Sequence, residues 1–261
     1  MKTMGIDIGN LLSKVVILDG DKLVASGIMD TTGNVAGEID ILVSSVLMDA
    51  GFALEGLDAR AATGSGAELL RGLDFTEDEV TCVAAAGAYL LPDINMIVHV
   101  GGQSIASILI DEDGDVVNFM RNDKCASGSG RFLEVMSHAI GVGIDDIDSA
   151  VEGAEKPVSI SSQCGVFAES EVITHLNDGE KPADIVAGLC DSVASIVSAQ
   201  ARKFTEGDKY TLTGGVARID AVAGRITQKM SGTFYQFPHD PRLAAAIGAA
   251  LLAGMEEEEE E

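Results

Sequence analysis

Residues 4–24 read MGIDIGNLLSKVVILDGDKLV, and residues 96–117 read MIVHVGGQSIASILIDEDGDVV. The first stretch reads as strand, glycine turn, strand, Asp-Gly turn, strand. Branched apolar residues fill the runs, and Gly9-Asn10 and Asp19-Gly20 mark the turns. The second stretch repeats that grammar. A shift of 92 positions pairs Met4 with Met96, Gly9 with Gly101, Asn10 with Gly102 and Asp19 with Asp111. A duplicated β-meander, with a glycine-centred turn after the first strand of each copy, sets the fold class.

Working outward, helix-like stretches at about 35–50 and 78–91 and an apolar strand near 57–63 separate the two copies. Helices are expected near 130–140, 164–177 and 183–204. A short strand in YTLTGG and an Ala-rich helix near 241–254 follow. Two meanders, each followed by helices, predict an α/β chain with two lobes around a cleft. The lobes would cover residues 1–92 and 93–255, with the last helix able to return to the first lobe; Glu256–Glu261 forms an acidic, disordered tail. The two glycine turns would face each other across the cleft, where backbone N–H groups hold a nucleotide's phosphates from both sides. LTGGVA (212–217) supplies a third turn of close approach.

Composition narrows the partners. The chain has 261 residues and a formal net charge of −25; without the six terminal glutamates the body keeps a net −19 (25 − 6 = 19). Such a surface repels nucleic-acid phosphates and anionic lipid, which excludes both as main partners. The chain enters a strand pattern at once, without a leader, and apolar runs such as AAAIGAALLAG are too short to span a bilayer. A cytoplasmic protein is expected. Four widely spaced cysteines argue against a secreted disulfide scaffold.

Cys82 and Cys190 lie within apolar helical patterns and read as small buried hydrophobes. Cys125, in NDKCASGSGR, and Cys164, in SSQCGVFAESEV, each precede a helix, with Ser161 or Ser162 as N-cap for the second. Inert thiols, a disulfide and metal ligation all remain open for this pair. Helix N-termini favour a thiolate, and a reducing cytoplasm disfavours a lasting disulfide. Two thiolates do not complete a [4Fe–4S] cluster, but a two-fold dimer brings four together.

The order and spacing of these motifs resemble the actin, sugar-kinase and heat-shock chaperone ATPase superfamily, with its duplicated actin-like (ribonuclease H-like) fold. In that resemblance Asp7, Gly9, Asn10, Ser13 and Lys14 match the first phosphate motif. Gly101, Gly102 and Gln103 match the second, and Gly214 and Gly215 the adenosine motif. Together with NDKCASGSGRFLEVM and SSQCGVFAESEVI, the whole chain resembles the activators of 2-hydroxyacyl-CoA dehydratases and the ATPase subunits of benzoyl-CoA reductases, the BadF/BadG/BcrA/BcrD type. The resemblance implies a dimer, with itself or with a sister subunit, holding one [4Fe–4S] cluster through Cys125 and Cys164 of each chain. It also implies ATP or ADP with Mg²⁺ in each subunit, and Gly128 and Gly130 allowing close approach to cluster or nucleotide. The partner would be an iron–sulfur dehydratase or reductase accepting a low-potential electron, and the donor a ferredoxin or flavodoxin-like protein.

The second phosphate motif departs from the family pattern, which has an acidic residue before GGQ, then Asp, one residue and Lys after it. Here His99 precedes GGQ, and Ser104 and Ala106 follow. With His99 opposite Asp7 in the internal alignment, one of two expected cleft carboxylates is missing. Neutral imidazole is a poor ligand for Mg²⁺ but can orient water or act as a base. Asp7, Gln103 and His99 are therefore the candidate catalytic residues, with Asp123 a further metal-side candidate and slow hydrolysis expected. Other readings are a paralogue or hetero-oligomer subunit serving another activation system, for instance in methanogens, a small-molecule kinase, and a nucleotide-gated assembly without redox chemistry.

Overall fold

The computed structural model describes residues 1–122, 126–160 and 164–260, with side chains described to Met255. Cys125, Asp123, Ser161 and Ser162 lie outside the described residues. The chain opens with β1 (Lys2–Ile8), β2 (Leu12–Asp19) and β3 (Lys22–Asp30), then α1 (Val35–Ala50), β4 (Ala59–Thr63), β5 (Phe75–Thr76) and α2 (Glu79–Leu90). A second round follows: β6 (Met96–Val100), β7 (Ile105–Ile110) and β8 (Val116–Asn122). It is extended by α3 (Gly130–Ala139), α4 (Ile147–Ala150) and α5 (Gly165–Asn177). It then closes with α6 (Pro182–Ala201), β9 (Lys209–Thr213), α7 (Asp220–Lys229), β10 (Thr233–Phe234) and α8 (Ala244–Glu260).

Among the described residues the strands form two five-stranded sheets, ordered β3-β2-β1-β4-β5 and β10-β9-β6-β7-β8. These are the same topology twice, since β6 takes the place of β1 and β9 that of β4. The first three strands of each sheet are antiparallel and the last two join in parallel. The repeat extends to irregularities. A bulge at Ile17/Leu18 recurs at Leu109/Ile110, and both positions differ by 92. The α/β duplicated fold expected from the two meanders is present.

Alternation along each strand decides what it faces. Met4, Ile6 and Ile8 pack on the α1 face with Ile39, Leu42 and Val46. Met96, Val98 and Val100 pack on the α6 face with Leu189, Val193 and Val197. The opposite faces look toward α2 and α8, which run between the sheets. Each of these helices packs on the sheet of the other half: α2 against Ile97 and Ile108, α8 against Val16 and Leu18. The small residues of α8 are required there. A Cβ on Gly5 would run into the Ala246 carbonyl, and one on Gly248 into the Cys82 carbonyl.

Cys82 and Cys190 are fully buried, and burial pushes both thiols up to about 12. One expectation changes. By length and composition α6 is long and apolar enough to cross a membrane, although 61% of it is buried inside the fold. A search for unbroken apolar runs passes over α6 because Asp184 and Asp191 interrupt it, and Asp184 is itself buried, accepting from the Glu155 and Lys156 amides.

Candidate nucleotide cleft and the cysteine helices

Both glycine turns are built alike. The Gly9 amide donates to the Leu12 carbonyl at 3.1 Å, and the Gly101 amide to the Ser104 carbonyl at 2.8 Å. Asp7 and His99 end β1 and β6 on the faces that look between the sheets. The two turns line one cleft of about 1110 Å³: Gly9, Asn10 and Lys14 on one side, Gly101, Gly102 and Gln103 on the other, Gly214 and Gly215 behind. Contact between the turns is direct, since a Cβ on Gly102 would sit 2.9 Å from the Leu11 Cγ.

Sequence-predicted residues divide by placement. Asp7 is buried beneath the cleft floor, 2% exposed, with Oδ2 2.7 Å from Lys14 Nζ. Its other oxygen, Oδ1, is buried and has no partner. Burial raises the Asp7 pKa, and Lys14 opposes that shift. The Ser13 hydroxyl is engaged by Thr31 at 2.8 Å, and Asn10 accepts from Ser65 at 3.2 Å. Gly130 lines the cleft, whereas Gly128 packs against Ile105 and Ile196, so its glycine makes room for α6 and β7.

His99 is buried, its Nδ1 3.0 Å from the Thr213 hydroxyl, and burial lowers its pKa to about 4. It is therefore neutral near pH 7, and its Nε2, 3.6 Å from a Glu79 oxygen, makes no ion pair there. Glu79 stands at the first turn of α2 and lines the cleft, a carboxylate that the hairpin alignment could not show. It reaches Arg121 of β8 at 2.8 Å.

Sequence reasoning also passed over ATGSG (62–66). Gly64 and Gly214 both follow a threonine at the end of a strand, both have φ of +88°, and both press on the preceding half-site strand. A Cβ would meet Asp7 and Ile8 in the first case and Val100 in the second. The shared Thr-Gly after an apolar strand was a readable signal. Its spacing hid it: the hairpins are 92 apart and these turns 150, because α3 to α5 enlarge the second half.

The last amide of the glycine turn SGSG before α3, and the amide that follows it, are engaged within the fold. The Gly130 amide donates to the Gly101 carbonyl at 3.0 Å and the Arg131 amide to the Gly102 carbonyl at 2.8 Å. The second phosphate turn is thus tied by its backbone to the start of α3. α5 begins at Gly165 with Cys164 itself as N-cap, in place of the expected serine. Cys164 is exposed, and Gly165 lies against Met136 of α3. Among the described residues no group of three or more His, Cys, Asp or Glu side chains converges as a metal site.

The sequence profile of the BadF/BadG/BcrA/BcrD ATPase family matches residues 4–253. The chain belongs to that family. It is 37% identical over 254 residues to the 2-hydroxyisocaproyl-CoA dehydratase activator of Clostridioides difficile, covering 97% of this chain and 95% of that one. It is 36% identical to the (R)-2-hydroxyglutaryl-CoA dehydratase activating ATPase of Acidaminococcus fermentans, over 96% of both chains. The solved structure of the Clostridium difficile activator with bound ADPNP superimposes with a TM-score of 0.93, covering 100% of this chain and 97% of that one at 36% identity. The fold is therefore that of the family's activators and, more broadly, of the actin-like ATPases.

Proposed function

We propose that this member of the BadF/BadG/BcrA/BcrD family is an ATP-dependent iron–sulfur activator of a 2-hydroxyacyl-CoA dehydratase or a related reductase. The observation that carries it is the chain of contacts from cleft to cysteine: the Gly101–Gly102 turn holds the first amides of α3, and α3 abuts the start of α5, where Cys164 stands exposed. A displacement of the turn by nucleotide is passed to α3 through two backbone hydrogen bonds, without side chains that could yield.

The donor set fits MgATP. Two turns converge on one cleft, and Asp7 Oδ1 is a buried acceptor with no partner, suited to a water on a hard cation. Lys14 offsets part of the burial that raises the Asp7 pKa and stays at the cleft wall for phosphate. His99, held neutral, orients by hydrogen bonding and brings no charge; hydrolysis is slow for that reason. The exposed position of Cys164 at the start of α5 supports a cluster shared between two chains. One exposed cysteine at a helix N-terminus, with Cys125 as the second ligand, leaves two ligands to another subunit. A bound [4Fe–4S] cluster would supply one-electron chemistry, and the α5 N-terminus would favour its negative charge by about 0.3–1 kcal/mol.

Anaerobic purification with iron and sulfide counting, before and after Cys164→Ala and Cys125→Ala, tests this. About four irons per dimer are expected, lost in either variant, with the unfolding midpoint of Cys164→Ala unchanged because that thiol is exposed. A protein that takes up no iron on reconstitution removes the proposal and leaves an ATP-cleft protein.

A further inference from the structure

Directly opposed residues on neighbouring strands share one face, so the cleft ends of the two sheets compare as rows. The first row is Ile28, Lys14, Asp7, Thr63; the second is Arg121, Ala106, His99, Thr213. In the first sheet the cation sits on the middle hairpin strand, beside the acid. In the second sheet that position is Ala106, a methyl group, and the cation stands one strand further out. Arg121 reaches inward past Ala106 to Glu79, Nη2 to Oε2 at 2.8 Å, and Glu79 also approaches His99. Beside the uncharged pair of the second hairpin stand an acid from α2 and a base from β8.

We infer that Arg121 is the group that reads the terminal phosphate of the nucleotide, with Glu79 as the carboxylate that holds it ready. This rests on the nucleotide reading above. Both residues line the cleft with the two phosphate turns, and the Arg121 Nε is buried without a hydrogen-bond partner. A guanidinium paired through one Nη, with an idle Nε–H, retains donors for an anion arriving between the turns. The facing groups are Glu79, Asp78 at 3.9 Å, the neutral His99 and, across the cleft, the Asp7–Lys14 pair. Arg131, Arg218 and Arg242 also line the cleft, each beside a carboxylate of its own, Glu134, Asp145 and Asp240, whereas Arg121 shares the row of His99 at the second turn.

The test is binding of ADP and of ADPNP by calorimetry with the metal chelated, so that only protein groups contribute. Arg121→Met should weaken ADPNP about tenfold to a hundredfold, the range of a hydrogen bond to a charged group, while ADP changes less than threefold. Arg121→Lys, which keeps the charge and loses the fork, should fall between. Glu79→Gln should tighten ADPNP, because it frees the guanidinium; a merely structural tether would not do this. Equal losses for both nucleotides, or no loss for either, would overturn the inference and leave nucleotide binding intact. Wild-type protein that binds neither nucleotide would instead remove the nucleotide reading, and this inference with it.

Discussion

The two half-sites share a backbone and differ in how they carry charge. In the β1–β2 hairpin, acid and base are cross-strand neighbours, Asp7 and Lys14, and the ion pair is buried. In the β6–β7 hairpin the same positions are His99 and Ala106, neutral and small, while charge enters from α2 and β8 as Glu79 and Arg121 at 18% and 27% side-chain exposure. The first arrangement is fixed by one hairpin. The second depends on α2 docking on the sheet of β6, β7 and β8, so a shift of that helix alters it. Duplication preserved the turns, where backbone geometry leaves little choice, and let the charges move to wherever a neighbouring element could present them.

The largest effect should come from breaking the buried pair. Lys14→Met removes the ion-pair partner of a carboxylate that is 2% exposed, which costs about 3–5 kcal/mol in denaturant unfolding. Asp7→Asn in the same chain should recover most of that loss. If Arg121→Met costs as much, the half-sites are not different in kind.

The second effect is one of pH. The His99 pKa, lowered by burial to about 4 from 6.5, means the unfolded chain binds the extra proton between those values. Stability contributed by neutral His99 is therefore complete above pH 6.5 and lost as pH falls toward 4, by up to about 3 kcal/mol. Asp7, raised by burial, pulls the opposite way and is common to both proteins in the comparison. Unfolding of wild type and His99→Gln across pH 4–7 should show the acid-side loss reduced in the variant; parallel curves would show that His99 titrates normally.

The smallest effect tests the shared backbone. Gly64→Ala and Gly214→Ala each put a side chain at φ +88° against a neighbouring strand, and each should cost about 2 kcal/mol. Costs that differ widely in thermal unfolding would mean the two turns are not equivalent despite matching angles.

Much of this site was legible. Gly9, Lys14, Gly101, Gly102, Gly214 and Gly215 come together as their motifs suggested, because turn chemistry and strand alternation are local properties. His99 lies in β6 where the hairpin alignment placed it, but that alignment could not show the carboxylate that comes to lie beside it. Glu79 reads in sequence only as an acidic residue in the first turn of a helix, and Arg121 as a charge on an edge strand. The bond between them spans 42 residues. Likewise SGSG before α3 looks like a phosphate cradle in sequence, yet the Gly130 amide is engaged by Gly101 and the Arg131 amide by Gly102.

The sequence by itself determined the repeated hairpin, the three glycine turns and the cysteines placed before helices, because each is written in residues close along the chain. Only the tertiary structure decided that α2 and α8 each pack on the other half's sheet, that α3 hangs from the second turn, and that Glu79 meets Arg121 beside His99. Those outcomes depend on sheet order and helix docking, which bring distant segments together through burial of apolar surface that carries no record of which polar groups it will juxtapose.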